Sequence, residues 1–151
     1  MNKQPRLNYP KVAPHVFQAM LGVEKAVLAS GLEKPLLELI KLRVSQINGC
    51  AFCIDMHSRD AKKAGETDQR LHLLNAWHEV DDIYTPRESA ALRWTEALTR
   101  LSSGHVTDED FAAVSAEFTE EEVANLTLAI VAINGWNRFG VGFKMPVGFL
   151  G

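Results

Sequence analysis

Apolar residues recur at three- and four-residue intervals along nearly the whole chain, and no run of alternating β-branched residues bounded by hairpin turns interrupts them. That periodicity predicts an all-α fold. A first amphipathic segment covers Val16 to Ala29 and stops at Ser30-Gly31. A second begins near Pro35 and carries Leu36, Leu39, Ile40, Val44 and Ile47 on a shared face until Asn48-Gly49 breaks the period. From Cys50 a third runs to Lys62-Lys63 and the stop at Gly65. A fourth is expected from Thr67 or Asp68 to about Trp77. Thr85-Pro86-Arg87-Glu88 joins a capping box to a proline at the first helical position and opens a helix to about Leu101. Thr107 to Asp110 opens a short one to about Phe118, and Thr119 with Glu122 caps an apolar helix from Glu120 to about Arg138. The expectation is a single-domain bundle, residues 1–151, of about six to seven helices.

Composition narrows the role. With 46% hydrophobic and 23% charged residues the chain matches an ordinary globular protein, which excludes disordered and collagen-like classes. Sixteen Lys and Arg against nineteen Asp and Glu give a net charge of −3, and the basic residues are scattered, so a nucleic-acid partner has no electrostatic footprint. The uncharged stretch Val123–Trp136 holds Asn125 and Asn134 and falls short of the about twenty apolar residues of a membrane span. The polar N-terminus, with prolines at 5, 10 and 14, lacks the apolar centre of a secretory signal, and a cytoplasmic setting is expected. The glycine-rich apolar tail, FGVGFKMPVGFLG, is expected to pack on its own core or on a neighbouring subunit of a homo-oligomer.

The two cysteines form one Cys50-x-x-Cys53 pair, whose disulfide would close almost no loop, so its role is chemical rather than architectural. Cys50, Cys53 and His57 stand three and four residues apart and line one helical stripe, with a base beside two thiols. Asn48-Gly49 places Cys50 at the helix start, where unsatisfied backbone N–H groups favour a thiolate. Two other readings stand beside the redox one. A structural zinc site would recruit His57 and a further His or carboxylate, and a pair of buried helix cysteines would carry no chemistry. Glu38, followed by Lys41, reads on its own as a solvated ion-pair partner, and on a straight helix it would lie about 18 Å from Cys50. His57 reads on its own as a surface histidine near Asp60. His15, His72, His78 and His105 belong to no constellation, and Trp77, Trp94 and Trp136 read as core or interface residues. Asn134, Asn137 and Arg138 either line a site or cap the last helix, and the preference for a cation in a last turn favours the cap.

Taken together, Glu38, Cys50, Cys53 and His57 reproduce the pattern E-x(11)-C-x-x-C-x(3)-H, and the chain from about residue 15 to 148 resembles the AhpD-like alkylhydroperoxidase branch of the carboxymuconolactone decarboxylase family. The segment Ile133–Gly148 is similar to that family's asparagine-rich helix end. The resemblance implies an AhpD-like helical domain that acts as a cofactor-free thiol peroxidase on hydrogen peroxide or organic hydroperoxides. It implies Cys53 as the peroxidatic thiolate, Cys50 as the resolving thiol, and Glu38 with His57 as a proton relay. An external dithiol, by family analogy a lipoyl-bearing protein, would restore the thiols, and the assembly would be a trimer or hexamer. Phe52 departs from the pattern, since the best-known members carry a second histidine between the cysteines. A lyase of the carboxymuconolactone decarboxylase kind, using Glu38 and His57 without the cysteines, and a redox-responsive or metal-binding interaction module are the alternatives.

Overall fold

The computed structural model describes residues 4–149, and among these the chain forms eight α-helices and one 3-10 helix, with no strand. The helices are α1 (Tyr9–Val12), α2 (Pro14–Leu28), α3 (Lys34–Asn48), α4 (Ala51–Lys63), α5 (Asp68–Leu73), α6 (Pro86–Thr99), α7 (Asp108–Glu117) and α8 (Glu120–Gly142), with the 3-10 helix at Leu74–Glu79. The starts follow the local chemistry. Prolines open α1, α2, α3 and α6, where a missing N–H costs nothing, and reciprocal capping boxes at Thr85/Glu88, Thr107/Asp110 and Thr119/Glu122 open α6, α7 and α8.

The helix count exceeds the six to seven expected because of a short first helix and a break in the fourth, and the last helix also ends later than expected. Helix α1 has four residues, too few to show a period, and exists because Tyr9 is buried against Phe139 and Phe143, with ring centroids 4.7 and 5.5 Å away. The fourth expected helix breaks after Leu73 into the 3-10 turn, where Ala76 leaves helical geometry. There the burial of Leu74 and the hydrogen bond from Trp77 Nε1 to Glu96 Oε1 (3.0 Å) outweigh the local period. The last helix runs a turn beyond Arg138, so Arg138 is no cap; its guanidinium donates to the Asn134 carbonyl on the exposed face. The described part of the tail packs on its own chain, with Met145 buried and the Arg6 N–H donating to the Phe143 carbonyl (2.8 Å).

Helix α3 is the centre of the bundle. Leu36, Leu37, Ile40 and Val44 meet α2, α6, α7 and α8 in the main apolar cluster, while Leu39 and Leu42 join Leu74, Tyr84 and Leu92 in a second. Every residue from Leu36 to Ser45 is buried, including Glu38, Lys41 and Arg43. The Arg43 guanidinium donates to Glu96 (2.7 Å), which also accepts from Trp77. Burial pushes the Glu96 carboxyl up, but the hydrogen bonds from Trp77 and Arg43, with the charges of Arg43 and His78, hold it below its ordinary value.

Arg87 fastens the outer end of the bundle. It reaches Glu33 ahead of α3, Glu122 in the first turn of α8 and the Glu117 carbonyl, and its guanidinium lies 4.0 Å over the Phe118 ring. The hydrogen bond from Arg87 is the leading cause that holds both the Glu33 and Glu122 carboxyls below their ordinary values. A depressed carboxylate contributes stability above its unfolded pKa and loses it as pH falls through the folded one. Arg87→Met is therefore expected to lower stability at neutral pH by at most about 1 kcal/mol, because solvent screens these half-exposed pairs. In urea titrations the difference from the native chain should shrink as the pH is lowered through and below the ordinary carboxylate range.

Candidate active site

The turn between α3 and α4 decides the site. Gly49 takes a left-handed conformation (φ 68°) at the end of α3, and the Cys50 N–H donates back to the Ser45 carbonyl (3.0 Å), so the chain reverses within two residues. The Asn48 amide holds this reversal from the side, donating to Asn134 Oδ1 and Asn137 Oδ1 (both 2.9 Å). Buried Asn137 in turn donates to Ser45 Oγ (3.0 Å). The asparagines of α8 thus brace the turn, rather than capping their own helix.

With the chain folded back, the four residues of the sequence pattern come together. Glu38 Oε2 and His57 Nδ1 are 2.8 Å apart, and both residues are buried. A carboxylate accepting from Nδ1–H leaves Nε2 as the ring nitrogen open to a reacting group. Cys50 is the N-cap of α4, its sulfur accepting the Cys53 N–H (3.3 Å), and the two cysteines are joined as a disulfide with Cα atoms 5.3 Å apart. In the reduced state this helix N-terminus stabilises negative charge on sulfur. Gly140 of α8 lies against the pair; a Cβ added there would stand 2.6 Å from Cys50 Sγ and 3.3 Å from Cys53 Sγ.

The pattern opens on a cavity of about 510 Å³ between α2, α3, α4 and α8. Its polar wall carries Glu24, Glu38, Lys41, Cys53, His57 and Asp60; Tyr9, Phe17, Phe52, Met56, Trp136 and Met145 supply most of the apolar wall. Cys53 lines this cavity and Cys50 does not. Burial pushes the Tyr9 phenol up from its ordinary value. Lys41 is ion-paired with Glu24, whose other oxygen accepts from Trp136 Nε1 (3.2 Å). Among the described residues Glu38, His57 and Asp60 form the group able to hold a metal ion, with donor atoms within 4.8 Å of one another. The disulfide ties up both sulfurs that a zinc reading would require.

The sequence pattern marks Glu38, Cys50, Cys53 and His57 but not Glu24, Lys41, Asp60, Gly140 or the aromatic wall as parts of the site. Lys41 and Asp60 had a usable signal, each lying three residues along the helix from Glu38 or His57. Glu24 had none, and Gly140 had only the family-like segment Ile133–Gly148 around it. Trp136, expected in the core or an interface, packs against the main apolar cluster and also lines the cavity, whereas Trp94 is core and donates to Thr127 Oγ1 (3.0 Å). His15, His72, His78 and His105 are exposed, and His78 stacks on Trp77.

The carboxymuconolactone decarboxylase family model matches residues 14–97. The uncharacterized protein YdfG of Bacillus subtilis is 46% identical over 136 residues, spanning 90% of this chain and 92% of its own. The alkyl hydroperoxide reductase AhpD of Hyphomonas neptunium is 44% identical over 41 residues, 27% of this chain and 23% of its own. Among solved structures, a protein of unknown function from Agrobacterium tumefaciens, provisionally named an antioxidant defence protein AhpD, superposes with a TM-score of 0.91. It is 42% identical and covers 95% of this chain and 98% of its own. The debrominase Bmp8 shares the fold at a TM-score of 0.78 and 21% identity, over 89% of this chain and 72% of its own.

The contact at Gly140 gives a direct test of the packing. Gly140→Ala is expected to destabilise the oxidised protein by about 1–3 kcal/mol, because its methyl must displace a sulfur or shift α8. Gly142→Ala, whose Cβ meets nothing within 4 Å, is the control and should leave the melting temperature unchanged. Equal melting temperatures for both variants and the native chain would contradict the close approach.

Proposed function

The chain belongs to the carboxymuconolactone decarboxylase family, and we propose that within it this protein is a thiol-dependent peroxidase that reduces hydrogen peroxide or organic hydroperoxides through Cys53 and Cys50. The observation that carries the reading is a Cys50–Cys53 pair at a helix N-terminus, with Cys53 on the wall of an organic-sized cavity that also exposes the buried Glu38–His57 pair. The partial match to an alkyl hydroperoxide reductase and the name of the Agrobacterium structure support it.

In the reduced protein the Cys53 thiolate attacks the peroxide oxygen distal to carbon. An S–O bond forms, the O–O bond breaks, and the leaving alkoxide takes from His57 Nε2 the proton that Cys53 gave up on becoming a thiolate. Sulfur is thereby oxidised by two electrons to a sulfenic acid. The Cys50 thiol then attacks that sulfur, releasing water and forming the disulfide. An external dithiol partner reduces the disulfide by exchange, which requires access to one sulfur, and Cys53 is the one that faces the cavity. Roles for Glu38 and His57 as proton carriers, a cytoplasmic setting and assembly into trimers or hexamers belong to the same proposal. No helix among the described residues is long and apolar enough to cross a membrane.

One equivalent of hydroperoxide added to the fully reduced protein tests the reading by intact mass and free-thiol count. The native chain is expected to lose two hydrogens and two thiols. Cys50→Ser is expected to stop at a trapped sulfenic acid on Cys53, and Cys53→Ser to keep its remaining thiol. Thiols that persist for hours in the native chain would overturn the peroxidase reading and leave proton chemistry at Glu38 and His57, without the cysteines, as the better explanation.

A further inference from the structure

We infer that Lys41 is a further catalytic residue of this site, donating to the peroxide's leaving oxygen and holding the negative charge that develops there; the inference rests on the peroxidase reading above. Lys41 is 3% exposed, and it lines the same cavity as Cys53, one helical turn along α3 from Glu38. An ammonium has three N–H donors, and among the described residues Glu24 is the one side-chain acceptor paired with Lys41. The remaining donors are left for the occupant of the cavity. Glu24 is itself fixed by Trp136 on its second oxygen, so the ammonium is held in place by a partner that is not free to swing away.

The chemistry of the step calls for such a group. When the Cys53 thiolate displaces an alkoxide, the electron pair of the O–O bond leaves on the oxygen bonded to carbon, and the charge moves from sulfur to that oxygen. In a cavity walled largely by aromatic and aliphatic side chains an uncompensated alkoxide is costly, and a preorganised cation beside it lowers the barrier. The other cavity-lining cations are less suited. Lys34 is exposed, and Lys63 is exposed and paired with Asp60. Buried Arg43 is committed to Glu96 and does not line the cavity. Lys41 is thus the buried ammonium on the wall, and His57 delivers the proton that completes the alcohol.

The test separates leaving groups. Reduced native protein, Lys41→Met and Lys41→Arg are mixed with tert-butyl hydroperoxide, whose alkoxide is strongly basic, and with peracetic acid, which leaves as a stable acetate. The second-order rate of thiol loss is followed in each case. Lys41→Met is expected to slow tert-butyl hydroperoxide about a hundredfold and peracetic acid less than about fivefold, with Lys41→Arg recovering most of the difference. Should the stranded Glu24 carboxylate unfold the single variant, Lys41→Met combined with Glu24→Gln carries the same expectation. Equal slowing of both oxidants would assign Lys41 a structural role, and no slowing would remove it from the step; either overturns the inference while leaving the peroxidase reading intact. Native thiols inert to both oxidants would overturn the peroxidase reading and this inference with it.

Discussion

Burying α3 on every side obliges each polar group it carries to find a partner inside the protein, and the rest of the bundle is arranged around those partners. Glu38 pairs with His57 of α4, Lys41 with Glu24 of α2, Arg43 with Glu96 of α6, and Ser45 with Asn137 of α8. Stranding one member of a buried ion pair costs about 3–5 kcal/mol, so these contacts disfavour alternative packings of the surrounding helices even where their net contribution to stability is small. Three of these contacts divide by what they face. Arg43–Glu96 is sealed against Trp77 and serves structure, whereas Glu38–His57 and Lys41–Glu24 both open on the cavity that Cys53 lines.

The cysteine pair depends on backbone geometry more than on side-chain packing. A disulfide between residues three apart constrains little of the unfolded chain and contributes correspondingly little to stability. Its placement is nevertheless tightly built. Left-handed Gly49 reverses the chain, Asn48 is pinned by two asparagines of α8, Cys50 caps α4 through its own sulfur, and Gly140 lets α8 pass within contact of both sulfurs. Structure of that kind around a pair with little stabilising value is consistent with the redox role proposed for it.

Much of the fold was legible because the helix starts are written locally: threonine and acidic residues in capping boxes, and prolines at first turns. What escaped was set by tertiary contact. Helix α1 exists through Tyr9 against Phe139 and Phe143, and the 3-10 turn through Trp77 reaching Glu96. The last helix continues past Arg138 because its aromatic face is covered. Within the site, the spacing of Cys50, Cys53 and His57 follows from one helical stripe. Glu38 was recognisable only through the family pattern, because its approach to His57 needs the reversal at Gly49. Gly140 and Trp136 fall in the family-like segment Ile133–Gly148, but nothing local there marks them for the site, and Glu24, brought in by a neighbouring helix, has no signal at all.

The claim on which the functional reading turns is that the buried Glu38–His57 pair acts on Cys53. The most direct measurement is the stopped-flow rate at which one equivalent of a hydroperoxide oxidises reduced Glu38→Gln, compared with the native chain at equal helix content and melting temperature. Glutamine keeps the shape and can still accept from Nδ1–H, but it withdraws the carboxylate charge. A fall of about a hundredfold or more in the rate of thiol loss, with both thiols still present at the start, is the expected result for a working acid–base pair. Oxidation at the native rate would contradict it, and would reduce Glu38 to a structural partner that holds His57 in the core.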